Sequence, residues 1–462
     1  MTVAKKPKAE SDVEAPKKKA VKKTKKDDLG HSAHVEESAA STPVKSSSQS
    51  SVSSDAIAKG QPVVNIGFVG HVDHGKTTLT QALSGKWTDT HSEEIKRGIT
   101  IRLGYADAVF YQTASGEYTT SPTDSMGRAN KATRKVSFID APGHESLMAT
   151  MLAGSMIMDG ALLLISASET CPQPQTREHL SALEMCDIKN VIVVQNKIDM
   201  VDEEQARKNY QQIKDFLKGT PYENAPVVPV SAVHKININY LIEAIETVVP
   251  TPVRNPNEDP MFLVARSFDV NKPGTEPKDL KGGILGGSLV RGKISVGDTI
   301  EIRPGRVMER KNQLAAVSYK TQVVSLVTGG KSVQSIQPGG SVGILTKLDP
   351  AIVKADKLTG CVVGHVDKLP PVWVSTLKLD VHLLDRVVGS VETAAVDPLR
   401  KMEPLMLNVN SATTVGVITE LSKKEVVCTL KLPICADVGS RVTISRRIGN
   451  RFRLIGYGII LA

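Results

Sequence analysis

Residues 70 to 79 read GHVDHGKTTL and follow directly on the apolar run VVNIGFV. The spacing Gly70-x-x-x-x-Gly75-Lys76-Thr77 is the phosphate-loop pattern. The strand-like run before it and the helix-compatible TTLTQALSG after it supply the context that pattern requires. There, backbone N–H groups of the turn and of the helix start face a β-phosphate, Lys76 reaches the β- and γ-phosphates, and the Thr77 hydroxyl ligates Mg²⁺. A glycine-rich turn used only for close packing explains neither the lysine nor the hydroxyl. The loop alone does not choose between ATP and GTP.

Working outward, four more apolar runs alternate with helix-like stretches: RKVSFIDAPG, GALLLISAS, NVIVVQNKID and APVVPVSA. Runs such as ALLLI and VIVV are nearly uninterrupted, as in strands of a parallel sheet covered on both faces. EHLSALEM and EEQARKNYQQIKDFLKG are long enough to be crossover helices. The predicted fold is an α/β P-loop domain with a mostly parallel sheet, and its ligand groups gather at the carboxyl ends of the strands.

Asp140 ends the run VSFI and is followed by Ala141, Pro142 and Gly143. Its carboxylate is placed to face Mg²⁺ through a metal-bound water, and the Gly143 N–H to meet the γ-phosphate. The base is chosen by NKID, residues 196 to 199. The Asp199 carboxylate accepts two hydrogen bonds only from an edge presenting N1–H and an exocyclic amine, which guanine has and adenine lacks. Adenine would set an N1 acceptor against a buried charge. Asn196 ties the base pocket to the phosphate loop, the stem of Lys197 covers a face of the base, and Ser231-Ala232 completes the pocket with the Ala232 N–H on guanine O6. The expected nucleotide contacts are thus Asp73, His74, Gly75, Lys76, Thr77, Thr78, Gly143, Asn196, Lys197, Asp199, Ser231 and Ala232. Between the phosphate loop and Asp140 lies RGITI, where Thr100 is the expected second protein ligand of Mg²⁺, ordered when a γ-phosphate is present.

Residues 1 to 60 hold twelve lysines and eight acids, so +4 of the chain's +9 formal charge lies there. Lysine clusters and a serine-rich run offer nothing to bury, and the segment reads as a disordered tail. The remaining modest excess permits a nucleic-acid partner without specifying one. With neither a secretory leader nor a run of about 20 apolar residues, the expectation is a cytoplasmic protein with no membrane partner. Cys171, Cys186, Cys361, Cys428 and Cys435 form no close pair and read as reduced thiols.

GHVDHGKT, RGITI, DAPGHE and NKID together resemble the translational GTPases of the elongation-factor type. KRGITIRLGYADA, DAPGHESLMATMLAGSMIMDGALLLISASE, PQPQTREHL and SAVHKINI more closely resemble the gamma subunits of eukaryotic and archaeal translation initiation factor 2, a likeness covering about residues 62 to 462. It implies a heterotrimer in which gamma binds GTP or GDP with Mg²⁺ and methionylated initiator tRNA. This subunit carries the alpha and beta subunits, delivers the tRNA to the small ribosomal subunit, and meets GTPase-activating and nucleotide-exchange factors. By the same resemblance His144 corresponds to the histidine that orients the attacking water. Val72 and Ile99 look like the apolar pair that withholds it until the ribosome is engaged, making hydrolysis slow alone. Asp73 is counted with these three among the expected catalytic residues. Two rivals share parts of the pattern: a GTPase paired with ATP sulfurylase, and the selenocysteine-specific elongation factor, which normally has a further C-terminal domain.

The expected domains are the GTPase domain over 61–250, a β-barrel over 260–364 after the linker TPVRNPNEDP, and another over 370–462 after HVDKLPPVW. Short strands with glycine turns support barrels. By the family's pattern the first barrel docks the alpha subunit, and the beta subunit takes a surface of the GTPase domain. Near the end, Arg441, Arg446, Arg447, Arg451 and Arg453 are candidate phosphate contacts, with a solvated strand pair as the alternative. The family commonly inserts a zinc knuckle between the switch and Asp140. Residues 111 to 135 contain neither Cys nor His, so the expectation is a metal-free loop and no zinc.

Overall fold

The computed structural model describes residues 53–462 apart from 90–93, 95, 97–99, 311–312, 385–394, 423 and 450. A short helix α1 (Ser54–Lys59) is capped by the Ser53 hydroxyl, which accepts the Ala56 N–H at 3.3 Å. It corrects the expectation that chain up to residue 60 is tail: the Ser54 hydroxyl accepts the Ala132 N–H at 3.2 Å, and Gly60 O accepts from Lys135 at 3.0 Å. The rest of that expectation falls on residues outside those described.

The first layer structure contains β1 (Val64–Gly70), α2 (Lys76–Ser84), β2 (Gly104–Gln112), β3 (Tyr118–Thr119), β4 (Lys131–Asp140), α3 (Met148–Ser155), β5 (Gly160–Ser166), α4 (Pro174–Met185), β6 (Val191–Asn196), α5 (Glu203–Leu217), β7 (Val227–Pro229) and α6 (Ile238–Val248). The sheet order is β3-β2-β4-β1-β5-β6-β7. The pairings from β4 through β7 are parallel, while β2 runs antiparallel to β3 and β4. All positions of β1, β5 and β6 are buried, which is why their sequences do not alternate. On one face Ile66, Phe68 and Val194 pack with Leu79 of α2 and Leu241 of α6. On the other, Val69, Leu163 and Val193 pack with Met151, Leu180 and Ile213 of α3, α4 and α5, and this core continues into Met261, Leu263, Val362 and Leu454 of the following β structure. Register aligns the strand ends: Phe68 lies opposite Asp140, Gly70 opposite Leu164, and Ser166 opposite Asn196. One edge of the sheet therefore collects the phosphate loop, Asp140 and the NKID turn.

Two closed antiparallel barrels follow. In the first, the strand Thr299–Arg310 pairs with both Gln313–Thr328 and Val362–His365, closing a ring through Met261–Phe268, Ile284–Arg291 and Val342–Thr346. The second closes where Thr376–Leu383 meets Arg451–Ile460. The linker after α6 is pinned to the sheet domain, with Arg254 paired to Asp159 and donating to Val63 O.

Where a zinc knuckle is common in the resembled family, β2 and β4 are joined through β3 and a turn closed by Asp124. Its Oδ1 accepts the N–H groups of Met126 and Arg128, both at 2.9 Å, and its Oδ2 pairs with the Arg128 side chain at 2.7 Å. Elemental analysis of the purified, untagged chain is expected to find well under one zinc per molecule; a stoichiometric zinc resisting mild chelation would overturn this.

Candidate functional site

The phosphate loop is built from backbone conformations that most side chains resist. Gly70 and Gly75 have φ of 140° and 88°, and Asp73 has φ of 61°. A Cβ on Gly75 would lie 2.4 Å from Asn196 Nδ2, and one on Gly143 would lie 2.4 Å from Lys76 Nζ. Glycine at these positions lets base pocket, phosphate loop and DAPG turn close on one another. Lys76 donates to Gly70 O at 3.0 Å and His71 O at 2.6 Å, and burial pushes its pKa down to about 8. The Gly70 N–H donates to His179 Nδ1 at 2.7 Å, which fixes the loop to α4.

A cavity of about 400 Å³ opens here, lined by Val72, Asp73, Gly75, Lys76, Thr77, Thr78, Thr100, Gly143, His144 and Lys197, with Trp87 and Asp89 besides. His74, named among the expected nucleotide contacts, turns its side chain away from the cavity. Its ring is fully buried against Leu164 O (2.8 Å) and Glu169 (3.4 Å), and only its backbone faces the pocket network, where His74 O accepts from Asn196 Nδ2 at 2.9 Å. Ile99 lies outside the described residues.

Thr77, Thr100 and Asp140, the three expected metal ligands, lie side by side. Asp140 Oδ2 accepts from Thr77 Oγ1 at 2.7 Å, and the hydroxyls of Thr77 and Thr100 are 3.3 Å apart. Thr88, which sequence reasoning passed over, also donates to Asp140 Oδ2, at 2.6 Å. Burial pushes the Asp140 carboxyl up to about 6, and its Oδ1 is a buried acceptor without a partner. A fully buried carboxylate with one oxygen unsatisfied, flanked by hydroxyls, fits a hard divalent cation that keeps waters and takes substrate phosphates. Among the described residues no three His, Cys, Asp or Glu side chains converge on a metal position. Asp89 is the other missed residue: its hydrogen-bonding distance to Thr77 is 3.4 Å, and burial raises its pKa.

At the base end, Lys197 adopts a left-handed conformation, φ 63°, starting the turn Ile198–Met200 that presents Asp199. The Ser231 hydroxyl holds the Asp199 carboxyl below the usual range. Asn196 is the bridge: its amide donates to the phosphate loop and its Oδ1 accepts the Ala232 N–H at 3.1 Å. A guanine O6 would have to share that donor with Asn196.

His144 lies on the cavity wall, and its Nδ1 accepts the Ser146 N–H at 3.3 Å while bonding the Ser146 hydroxyl at 2.8 Å. That pattern assigns the ring proton of the neutral form to Nε2. Val72 borders the same cavity.

The arginines near the end are mostly engaged within the chain. Arg441 stacks over Tyr457 at 4.2 Å and donates to Met185 O at 3.0 Å, Arg446 pairs with Glu403 at 2.5 Å, and Arg451 and Arg453 pair with Glu145. Arg447 alone among the five is bonded only to a neighbouring carbonyl, Gly449 O at 3.3 Å.

A phosphate loop, an acid at the end of β4, an NKID turn after β6 and two trailing barrels define the class of translational GTPases. The family model of the elongation factor Tu GTP-binding domain matches residues 61–251, and that of the C-terminal region of initiation factor eIF2 gamma matches residues 375–460. The chain is 57% identical over 402 residues to translation initiation factor 2 subunit gamma of Pyrococcus horikoshii, covering 87% of this chain and 98% of that one. Against the same subunit of Methanocaldococcus jannaschii the identity is 55%, with equal coverage. Among solved structures, a bacterial selenocysteine-specific elongation factor superposes with a TM-score of 0.65 at 25% identity, covering 86% of this chain and 58% of that one. Elongation factor SelB of Methanococcus maripaludis, solved with a GTP analogue, gives 0.63 at 21% identity, covering 87% and 79%, and supports the fold. The chain belongs to the family of translation initiation factor 2 gamma subunits. It is a GTPase.

Proposed function

We propose that this chain binds GTP with Mg²⁺, carries methionylated initiator tRNA to the small ribosomal subunit as the gamma member of a heterotrimer with alpha and beta subunits, and hydrolyses GTP there. The setting is the cytoplasm; none of the described helices is long and apolar enough to cross a membrane. Activating and exchange factors complete the cycle. The observation that carries this reading is the position of Thr100. Its hydroxyl sits at the Thr77–Asp140 cluster, and two residues on Arg102 faces Asp356 of the first barrel at 3.5 Å. A segment anchored at one end by the nucleotide and at the other by the barrel transmits nucleotide state to a binding surface.

Lys76 and the loop N–H groups hold the β- and γ-phosphates, and Gly143 offers its N–H to the γ-phosphate. Thr77 and Thr100, with Asp140 beside them, would hold Mg²⁺, which would supply charge neutralisation at the β- and γ-phosphates. His144 orients the attacking water through Nε2, and Asp73 stands beside the same cavity. Val72 with Ile99 restrains His144, which keeps hydrolysis slow until the initiation complex forms.

The test is the affinity of initiator tRNA in the two nucleotide states. Wild type is expected to bind it roughly tenfold or more tightly with GTP than with GDP, a common size of coupling between sites, and Thr100→Ala to erase most of that difference. Equal tRNA affinity of the wild type in both states would remove the coupling.

A further inference from the structure

One guanidinium connects the last barrel to the hydrolytic segment. Arg453 Nη2 donates to Glu145 Oε2 at 2.9 Å, Arg453 Nη1 donates to Glu178 Oε1, and Arg451 closes on Glu145 Oε1. Both carboxylates adjoin residues of the site. Glu145 directly follows His144 and opens the turn that His144 caps. Glu178 lies in α4 just before His179, the acceptor of the Gly70 N–H. The side chains of Arg453 and Glu145 are 14% exposed and that of Glu178 is 4% exposed, so solvent screens the contacts little. A planar fork holding two carboxylates also fixes direction, which a lysine does not.

Docking of the barrel alone does not account for this arrangement. Leu454 and Cys435 already join the shared apolar core, and Arg441 already reaches α4. The fork instead lands on the two segments that flank the γ-phosphate position, the His144 turn and the helix that holds the phosphate loop.

We infer that Arg453, assisted by Arg451, is a positioning residue for GTP hydrolysis: by tying Glu145 to Glu178 it holds the His144 turn against α4 and keeps the imidazole at the cavity. The inference rests on His144 as the water-orienting residue. Its test uses the full chain in small-subunit initiation complexes, comparing single-turnover hydrolysis and GTP and GDP affinities of H144A, E145Q, R453Q and the double variant H144A/R453Q. E145Q and R453Q are each expected to slow hydrolysis about tenfold, the scale of a modest misplacement of a reacting group, with nucleotide affinities unchanged. The double variant is expected to be no slower than H144A, because nothing is left to position. E145Q keeps the Arg453–Glu178 pair, so it decides the matter if R453Q does not fold. A wild-type rate in E145Q, a parallel loss of nucleotide affinity, or a double variant slowed by the product of the single effects overturns the positioning role. H144A hydrolysing normally would instead bring down the reading of His144 itself.

Discussion

His144→Ala is expected to slow hydrolysis in the initiation complex by roughly 10²-fold or more, the scale of a positioned catalytic side chain, while GTP and initiator tRNA bind within a few-fold of wild type. The separation follows from the geometry. Lys76, Thr77 and Asp140, proposed to hold phosphate and cation, are fixed by contacts that exclude the imidazole: Lys76 to loop carbonyls, and Thr77 and Thr88 to Asp140. His144 is held from the other side by Ser146. Phosphoryl transfer through a loose transition state gains chiefly from placement and charge stabilisation, so removing the imidazole removes placement of water and little binding. Single-turnover hydrolysis with saturating nucleotide measures it. A normal rate would move the assignment to another group on the cavity wall, Asp73 first.

The parts of this site that sequence made legible are those whose chemistry is carried by contiguous residues. GHVDHGKT, DAPG and NKID each set their own backbone, and an apolar run before each places it at a strand end. What stayed hidden depends on contacts across the fold. Thr88 reaches Asp140 because Gly104, opposite Asp140 in β2, has no Cβ: one would lie 2.6 Å from Thr88 Cβ. No periodicity announces such a pair. His74 sits within the motif, yet its side chain turns inward because Leu164 O offers its ring a partner; spacing fixes the backbone of a phosphate loop without fixing every side chain.

The basic segment near the end illustrates a different limit. Charge counted along a strand pair suggests phosphate, but it cannot reveal Glu145 and Glu178, which lie 308 and 275 residues before Arg453. Helix α1 was likewise concealed. Six residues are too few to hold a helix alone, and it is contacts with β4 that stabilise it.

Asp199→Asn is expected to cost roughly 10²-fold or more in GTP affinity and to move preference toward XTP, since sites built to hydrogen-bond a substrate group reject a mismatched one strongly. The carboxylate stands on a turn begun by a left-handed Lys197, with its pKa held low by the Ser231 hydroxyl, so it is ionised and acceptor-only at neutral pH. Guanine meets it with two donors. An amide presents one acceptor and one donor, leaving a guanine donor facing N–H, whereas xanthine carries an oxygen where guanine carries its amine and satisfies both. Asn196 remains bonded to the phosphate loop and to the Ala232 N–H, so the remainder of the pocket keeps its shape and the change is confined to one edge of the base. Competition between GTP and XTP on the variant and the wild type decides it. An unchanged preference for GTP would mean that Asp199 does not read the base, and the choice of guanine would then have to come from the backbone around Ser231 and Ala232.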